Sequence, residues 1–325
     1  MKRALAAPLA LVLCSTAAGA ETHRFVPTTF YNTFSFAHPP ALRIKPGDRV
    51  ITTTADAGGT DANDRSVASA PNPQTGPFFV EGAEPGDTLV VTLNRIEPNR
   101  GTAWSSTLLA PYTVDPAFLR STAERQARRE TWIIDKGKGV ARTTSTDLRP
   151  GPLEVSLVPM IGCIATAPRN KEAVATSTPG SFGGNMDYAG MVAGVKVMLP
   201  VYEPGALLFI GDAHARQGHA EVVGTALETS MDVEFTVDLI KKKAIGWPRL
   251  ENDDYIMVLG SERPLLHAFQ HATTELLRWL TSDYGFDERT ASMLMGQAVE
   301  YDIANVVDPH FTVVAKLRKS YLRAR

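Results

Sequence analysis

A chain of 325 residues allows two domains or one large β architecture. Its 44 % hydrophobic and 21 % charged residues suffice for a packed core and exclude a disordered chain. A formal charge of −2 excludes a nucleic-acid binder on bulk electrostatics, and two cysteines exclude a disulfide framework.

At the start, Lys2 and Arg3 precede an apolar run over residues 4–14, and Ala18-Gly19-Ala20 ends in small residues. Residues 1–20 therefore read as a secretory signal peptide cut before Glu21. The expectation is an exported chain, periplasmic or secreted. No later run of eighteen apolar residues calls for a membrane after cleavage. Cys163 is then the remaining thiol, and its apolar surroundings suit a buried structural role.

Three segments repeat one pattern: Lys45-Pro46-Gly47-Asp48, Glu84-Pro85-Gly86-Asp87 and Glu203-Pro204-Gly205-Ala206. Each places a Pro-Gly turn before a β-prone run. Arg149-Pro150-Gly151 is a looser fourth copy. Pro sets φ at the first central turn position, and Gly supplies the positive φ of a type II turn at the second. Further strands are expected at 43–50, 190–199, 218–227 and 231–240. In the last, Met231, Val233, Phe235, Val237 and Leu239 alternate with polar residues. Residues 113–130 read as a surface helix or excursion. Pro264 opens a helix to about Ser282 with a stripe of Leu265, Phe269, Leu276, Leu277 and Leu280. Asp287 caps a second helix through about Tyr301, and 311–317 reads as a closing strand. The expected fold is mainly β, a sandwich-like or barrel-like body with a smaller α+β C-terminal part. The expected division is 21–160 as an N-terminal β-rich domain and 161–325 as the rest.

The densest polar cluster, residues 211–221, holds Asp212, His214, Gln217, His219 and Glu221. Asp and His are zinc ligands, and Glu serves as ligand or base. A Gly-rich loop at 177–187 offers Asn185 and Asp187. Glu81 and Asp56 stand at strand ends. His267 and His271 have metalloprotease spacing, but Ala268 stands where the general base belongs, so they read as a structural pair. There is no nucleophile elbow, phosphate loop or dinucleotide fingerprint.

These residues make the chain resemble the acetamidase/formamidase family, through 40–48, 76–87, 183–187, 211–228 and 291–319. The resemblance implies a β-rich homo-oligomer that hydrolyses small linear carboxamides to carboxylate and ammonia, with a divalent metal, zinc foremost. The family's motif positions fall here on Asp56, Glu81, Asp187, His214 and Glu221. Asp56, Asp187 and His214 are the expected metal ligands. Glu221 is the expected base, Glu81 a further ligand or second candidate for the base, and Gly183, Gly184 and Asn185 the expected oxyanion donors. The family pattern Gln-Gly-Asp-Gly-Glu is here Gln217-Gly218-His219-Ala220-Glu221. Two rivals remain open: a serine amidase using Ser177 or Ser181 with Lys171, and a non-catalytic exported β protein that binds a small ligand.

Overall fold

The computed structural model describes residues 19–121 and 126–322. The leader up to residue 18 lies outside them. A nine-stranded sheet runs in the spatial order Thr22–Arg24, Arg49–Thr53, Met231–Ile240, Thr88–Pro98, Lys196–Pro200, Arg249–Glu251, Tyr255–Glu262, Phe311–Arg318, Glu300–Asn305. A five-stranded sheet follows the order Gly183–Asn185, Met160–Ala165, Leu208–His214, Gln74–Val80, Leu42–Ile44. The excursion after residue 98 supplies a four-stranded sheet: Glu154–Ser156, Val140–Thr143, Arg129–Asp135, Thr102–Ser106.

The Pro-Gly repeats are the corners between the two large sheets. The first joins Leu42–Ile44 in the five-stranded sheet to Arg49–Thr53 in the nine-stranded one. The second joins Gln74–Val80 to Thr88–Pro98 in the same sense, and the third returns from Lys196–Pro200 to Leu208–His214. Gly47, Gly86 and Gly205 have φ of 92°, 93° and 78°, as type II turns require, whereas Gly151 has no positive φ. In the first two corners the aspartate closes the turn. Asp48 accepts from the Lys45 amide at 2.8 Å, and Asp87 from the Glu84 amide at 2.9 Å. The extended run expected over 43–50 is thus two strands in different sheets.

Between the sheets lies the main core. Val91, Val233 and Phe235 from one sheet meet Phe78, Ile161 and Ile210 from the other. In Tyr255–Glu262, Met257 and Leu259 face this core, while Ile256 and Val258 face a second core under the helices. The helix Leu265–Asp283 buries Ala268, Ala272, Leu276, Trp279 and Leu280. Phe269 of the expected stripe is 38 % exposed, because alanines occupy the contact line. A Cβ on Gly260 would lie 2.3 Å from the Ala268 carbonyl oxygen, so helix and strand approach too closely for larger side chains.

Three expectations are corrected. The second helix, Glu288–Ala298, stops before Tyr301, which belongs to the edge strand Glu300–Asn305. Residues 218–227 hold no strand: Ala220 and Glu221 have φ of 67° and 47°, which breaks an extended chain. The boundary at 160/161 does not separate two folding units, since Thr88–Pro98 pairs with Met231–Ile240 from end to end. Both large sheets draw strands from both sides of it.

Candidate active site

The site grows from a break in strand alternation. In Leu208–His214, Leu208 and Ile210 face the inner core and Phe209 the outer one. Asp212 then adopts φ 48°, and beyond it Ala213 faces the inner core. The parity has shifted by one, which turns His214 to the other face. On the neighbouring strand, Gly162 lies between the pairs Ile161↔Ala213 and Cys163↔Gly211. A Cβ there would come within 2.4 Å of Asp187 Oδ1 and 2.8 Å of His214 Cε1. Glycine leaves the floor open.

His214 is buried. Its Nδ1 lies 2.9 Å from Gln217 Oε1, and Gln217 Nε2 donates to the Asp187 and Ala304 carbonyls. The amide nitrogen is committed to acceptors, so Oε1 accepts and Nδ1 carries hydrogen. His214 Nε2 then faces Asp212 Oδ1 at 3.5 Å and Glu228 Oε1 at 3.4 Å. Asp187 and Glu221 form a second triad with the same ring, their ligand atoms all within 4.8 Å of one another. Asn185 Nδ2 donates to Asp187 Oδ2 at 2.6 Å and Asp308 Oδ2 at 2.9 Å. Asn72 Nδ2 donates to Asn185 Oδ1 at 2.9 Å and Asp212 Oδ2 at 3.1 Å. Asn72, Asp187, Asp212 and Glu221 all have φ between 45° and 48°. Left-handed backbone at four non-glycine residues of one site is strain of the kind held at functional centres.

Five acids around one imidazole oppose one another's charge. Burial, then Glu221, Asp308 and Asp212, pushes the Asp187 carboxyl well up. Burial is also the first cause of the upward shifts of Glu221 and Glu228, and Asp308 is pushed up to about 7. At His214 burial disfavours the proton, but Glu228 and Asp212 outweigh it and hold the ring well above its usual value. Asp187 Oδ1, Asp212 Oδ1, His214 Nε2 and Glu228 Oε2 are buried without hydrogen-bond partners. Native structures rarely leave such atoms bare. Ligand atoms about 2.1 Å from one tetrahedral cation stand roughly 3.4 Å apart, close to the His214 separations. A histidine with carboxylates is a donor set that zinc and similar divalent ions accept.

Of the residues singled out in the sequence, Asp187, His214 and Glu221 converge, and Asn185 holds the acids. Asp56 does not join them. Its Oδ1 accepts from the Gly58 and Thr60 amides, and its Oδ2 from Trp104 Nε1 and the Arg100 guanidinium. With its oxygens so engaged, it braces the cavity wall. Glu81 lies past the far end of Gln74–Val80, 44 % exposed beside Arg43. A strand of that length spans roughly 20 Å, which carries Glu81 away from the end near Asn72. Asn185 spends its donors on Asp187 and Asp308, so the structure gives it a bracing role in place of oxyanion donation. His219 is exposed. Ser177 lines the cavity, whereas Ser181 accepts from Arg169 and the Lys171 ammonium sits over the Phe36 ring, so among the described residues no lysine hydrogen-bonds either serine. His271 stacks on Trp247, and burial pushes the Cys163 thiol up.

Sequence reasoning missed Asn72, Glu228 and Asp308 as site residues, and left Asp212 unassigned within its cluster. Glu228 closes the stretch 211–228 and was within reach. Asp308 sits in the turn between Glu300–Asn305 and Phe311–Arg318, and nothing local marks it.

The cavity beside these residues measures about 290 Å³ and is lined by Asn72, Asn185, Asp212, Glu221, Glu228 and Asp308, with Trp104 and Arg129 on its wall. The family model described as Acetamidase/Formamidase family matches residues 27–172 and 169–319. The chain is similar to the crystal structure of an acetamidase from Yersinia enterocolitica, with 32 % identity, TM-score 0.81 and 96 % of both chains covered. It is 26 % identical to a putative formamidase of Schizosaccharomyces pombe over 57 % of each chain. It is 28 % identical to an acetamidase of Mycolicibacterium smegmatis over 62 % of this chain and 64 % of that one. The matches thus span less than two thirds of those two relatives' lengths.

Proposed function

The chain belongs to the acetamidase/formamidase family, and from that premise we propose that it hydrolyses small linear carboxamides to a carboxylate and ammonia. The observation that carries this reading is the convergence of His214 and Asp187 with Asp212, Glu221 and Glu228, the last three of which line one cavity. Asp212, His214 and Glu228 would hold a divalent cation, with Asp187 Oδ1 beside them. When bound, such an ion lowers the pKa of water toward about 7, polarises a carbonyl and reverses the mutual repulsion of the acids.

The chain's own residues divide the remaining work. Gln217 keeps the hydrogen on His214 Nδ1 and so leaves Nε2 as the atom that would meet the cation. Asn72 and Asn185 fix Asp212, Asp187 and Asp308. Glu228 is held by the Ala226 amide at 2.8 Å. Among the described residues, the Glu221 carboxylate makes no hydrogen bond, yet it lines the cavity. An unheld carboxyl suits a proton carrier. Glu221 takes the proton of the attacking water and returns it to the departing nitrogen, a role worth about 10²–10⁴-fold. The non-catalytic alternative is not favoured by a site that keeps this machinery intact.

The test pairs ammonia release from formamide and acetamide with metal content by mass spectrometry. Activity lost on chelation and regained with zinc is expected. Full activity without metal would overturn the cation, and Glu221→Gln with wild-type turnover would overturn the base. We propose export on the leader pattern. The Glu21 backbone nitrogen, which cleavage would turn into the α-ammonium, lies 2.8 Å from Asp48 Oδ1. N-terminal sequencing of exported protein beginning at Glu21 is the expected result.

A further inference from the structure

Among the described residues, one cationic side chain lines the acidic cavity: Arg129. It opens the strand Arg129–Asp135 and is exposed at the mouth. Its guanidinium carbon lies 3.6 Å from the centre of the Trp104 ring. Trp104 is itself fixed, since its Nε1 donates to Asp56 at 3.1 Å. A Cβ on Gly58 would lie 3.4 Å from Arg129 Nη2, so the fork also rests against bare backbone. Although four acids line the same cavity, none of them pairs with Arg129. Stacking holds the plane of a guanidinium and leaves its edge donors free, an arrangement suited to bidentate capture of a carboxylate.

The cavity is also roomier than formamide or acetamide needs. At about 290 Å³ it reaches the lower end of ordinary small-molecule sites. We propose that Arg129 is a specificity-determining residue that binds a carboxylate at the far end of the substrate, so that the preferred amides are half-amides of short dicarboxylic acids. The inference rests on the amidase reading above. Charge would orient such a molecule: the acid floor repels its carboxylate, Arg129 attracts it, and the carboxamide is left facing His214 and Glu221. Water adds to the carboxamide carbon, the C–N bond breaks, and a dicarboxylate and ammonium leave. A reaction that consumes short dicarboxylates is the expected next step.

The experiment measures kcat/KM for malonamate against isovaleramide and for succinamate against 4-methylpentanamide, pairs alike in shape and different in charge. The wild type is expected to favour the anionic member by about ten-fold or more. Arg129→Gln is expected to cut that ratio by about ten-fold, chiefly through KM, with Arg129→Lys restoring part of it. A wild-type ratio near one overturns the proposal. So does an Arg129→Gln loss in kcat that is equal for both members of a pair, which would place Arg129 at the carboxamide. If formamide, acetamide and all four probes fail to react, the amidase reading falls by itself. Malonate titration by calorimetry then decides on Arg129: weaker binding to Arg129→Gln supports the anion site, and equal binding overturns it.

Discussion

Gln217 accepts the Nδ1 hydrogen of His214 at 2.9 Å while its own amide nitrogen is spent on two backbone carbonyls. One side chain thereby fixes the tautomer and the aim of the imidazole, because a rotated amide would set donor against donor.

Gln217→Ala should therefore lower turnover and metal affinity by about 10–100-fold, the usual effect of removing a ligand's supporting partner. Kinetics and metal titration of the purified variant check this. Wild-type values for both would show that the ring is aimed by something else.

Gly162→Ala tests the floor of the site. The added methyl would occupy the space of Asp187 Oδ1 and His214 Cε1. Displacing those groups by about an ångström should cost about 10²-fold in turnover. Thermal denaturation beside the assay separates this from general unfolding, and an active variant would contradict the close approach.

Ala220 has φ 67° in the turn that presents Glu221. A left-handed backbone costs a residue with a Cβ about 1–2 kcal/mol, and glycine nothing. Ala220→Gly should raise stability by about 1 kcal/mol, less a few tenths for the looser unfolded chain. A melting temperature up by about 2 °C would register it, and a fall would mean that the methyl packs usefully.

The sheet corners predict acid sensitivity. Burial opposes ionisation of Asp48, but the Glu21 and Lys45 amides and His23 hold its carboxyl below the usual range. Asp87 is lowered likewise, against burial, by Lys241, the Lys242 amide and the Glu84 amide. A carboxylate lowered on folding stabilises fully above its unfolded value, near 3.9, and that contribution is lost as pH falls through the folded value. Asp48→Asn and Asp87→Asn should lower the melting temperature at pH 7 and flatten its decline between about pH 5 and 2. An unchanged slope in both variants would place the acid sensitivity elsewhere.

The Pro-Gly repeats, the alternation of 231–240 and the cap at Asp287 were legible because turn dihedrals, strand period and helix capping are set by neighbours within a few residues. The sheet-to-sheet role of the repeats was not, since it depends on strands far apart in the chain. At the site, Asp187, His214 and Glu221 could be named from their loops. Asp56 and Glu81 carry the same chemistry in the sequence, yet one is consumed by Arg100, Trp104 and two amides, and the other lies beyond the far end of a strand. Glu228 ends a stretch the sequence did mark, whereas Asp308 carries no local mark at all. By itself the sequence determined the β-rich body, its corners and the side chains available for chemistry. Only tertiary structure decided which of them meet, because the flip of alternation at Gly162 and Asp212 exists only when two strands pair, and that flip sets His214 among its acids.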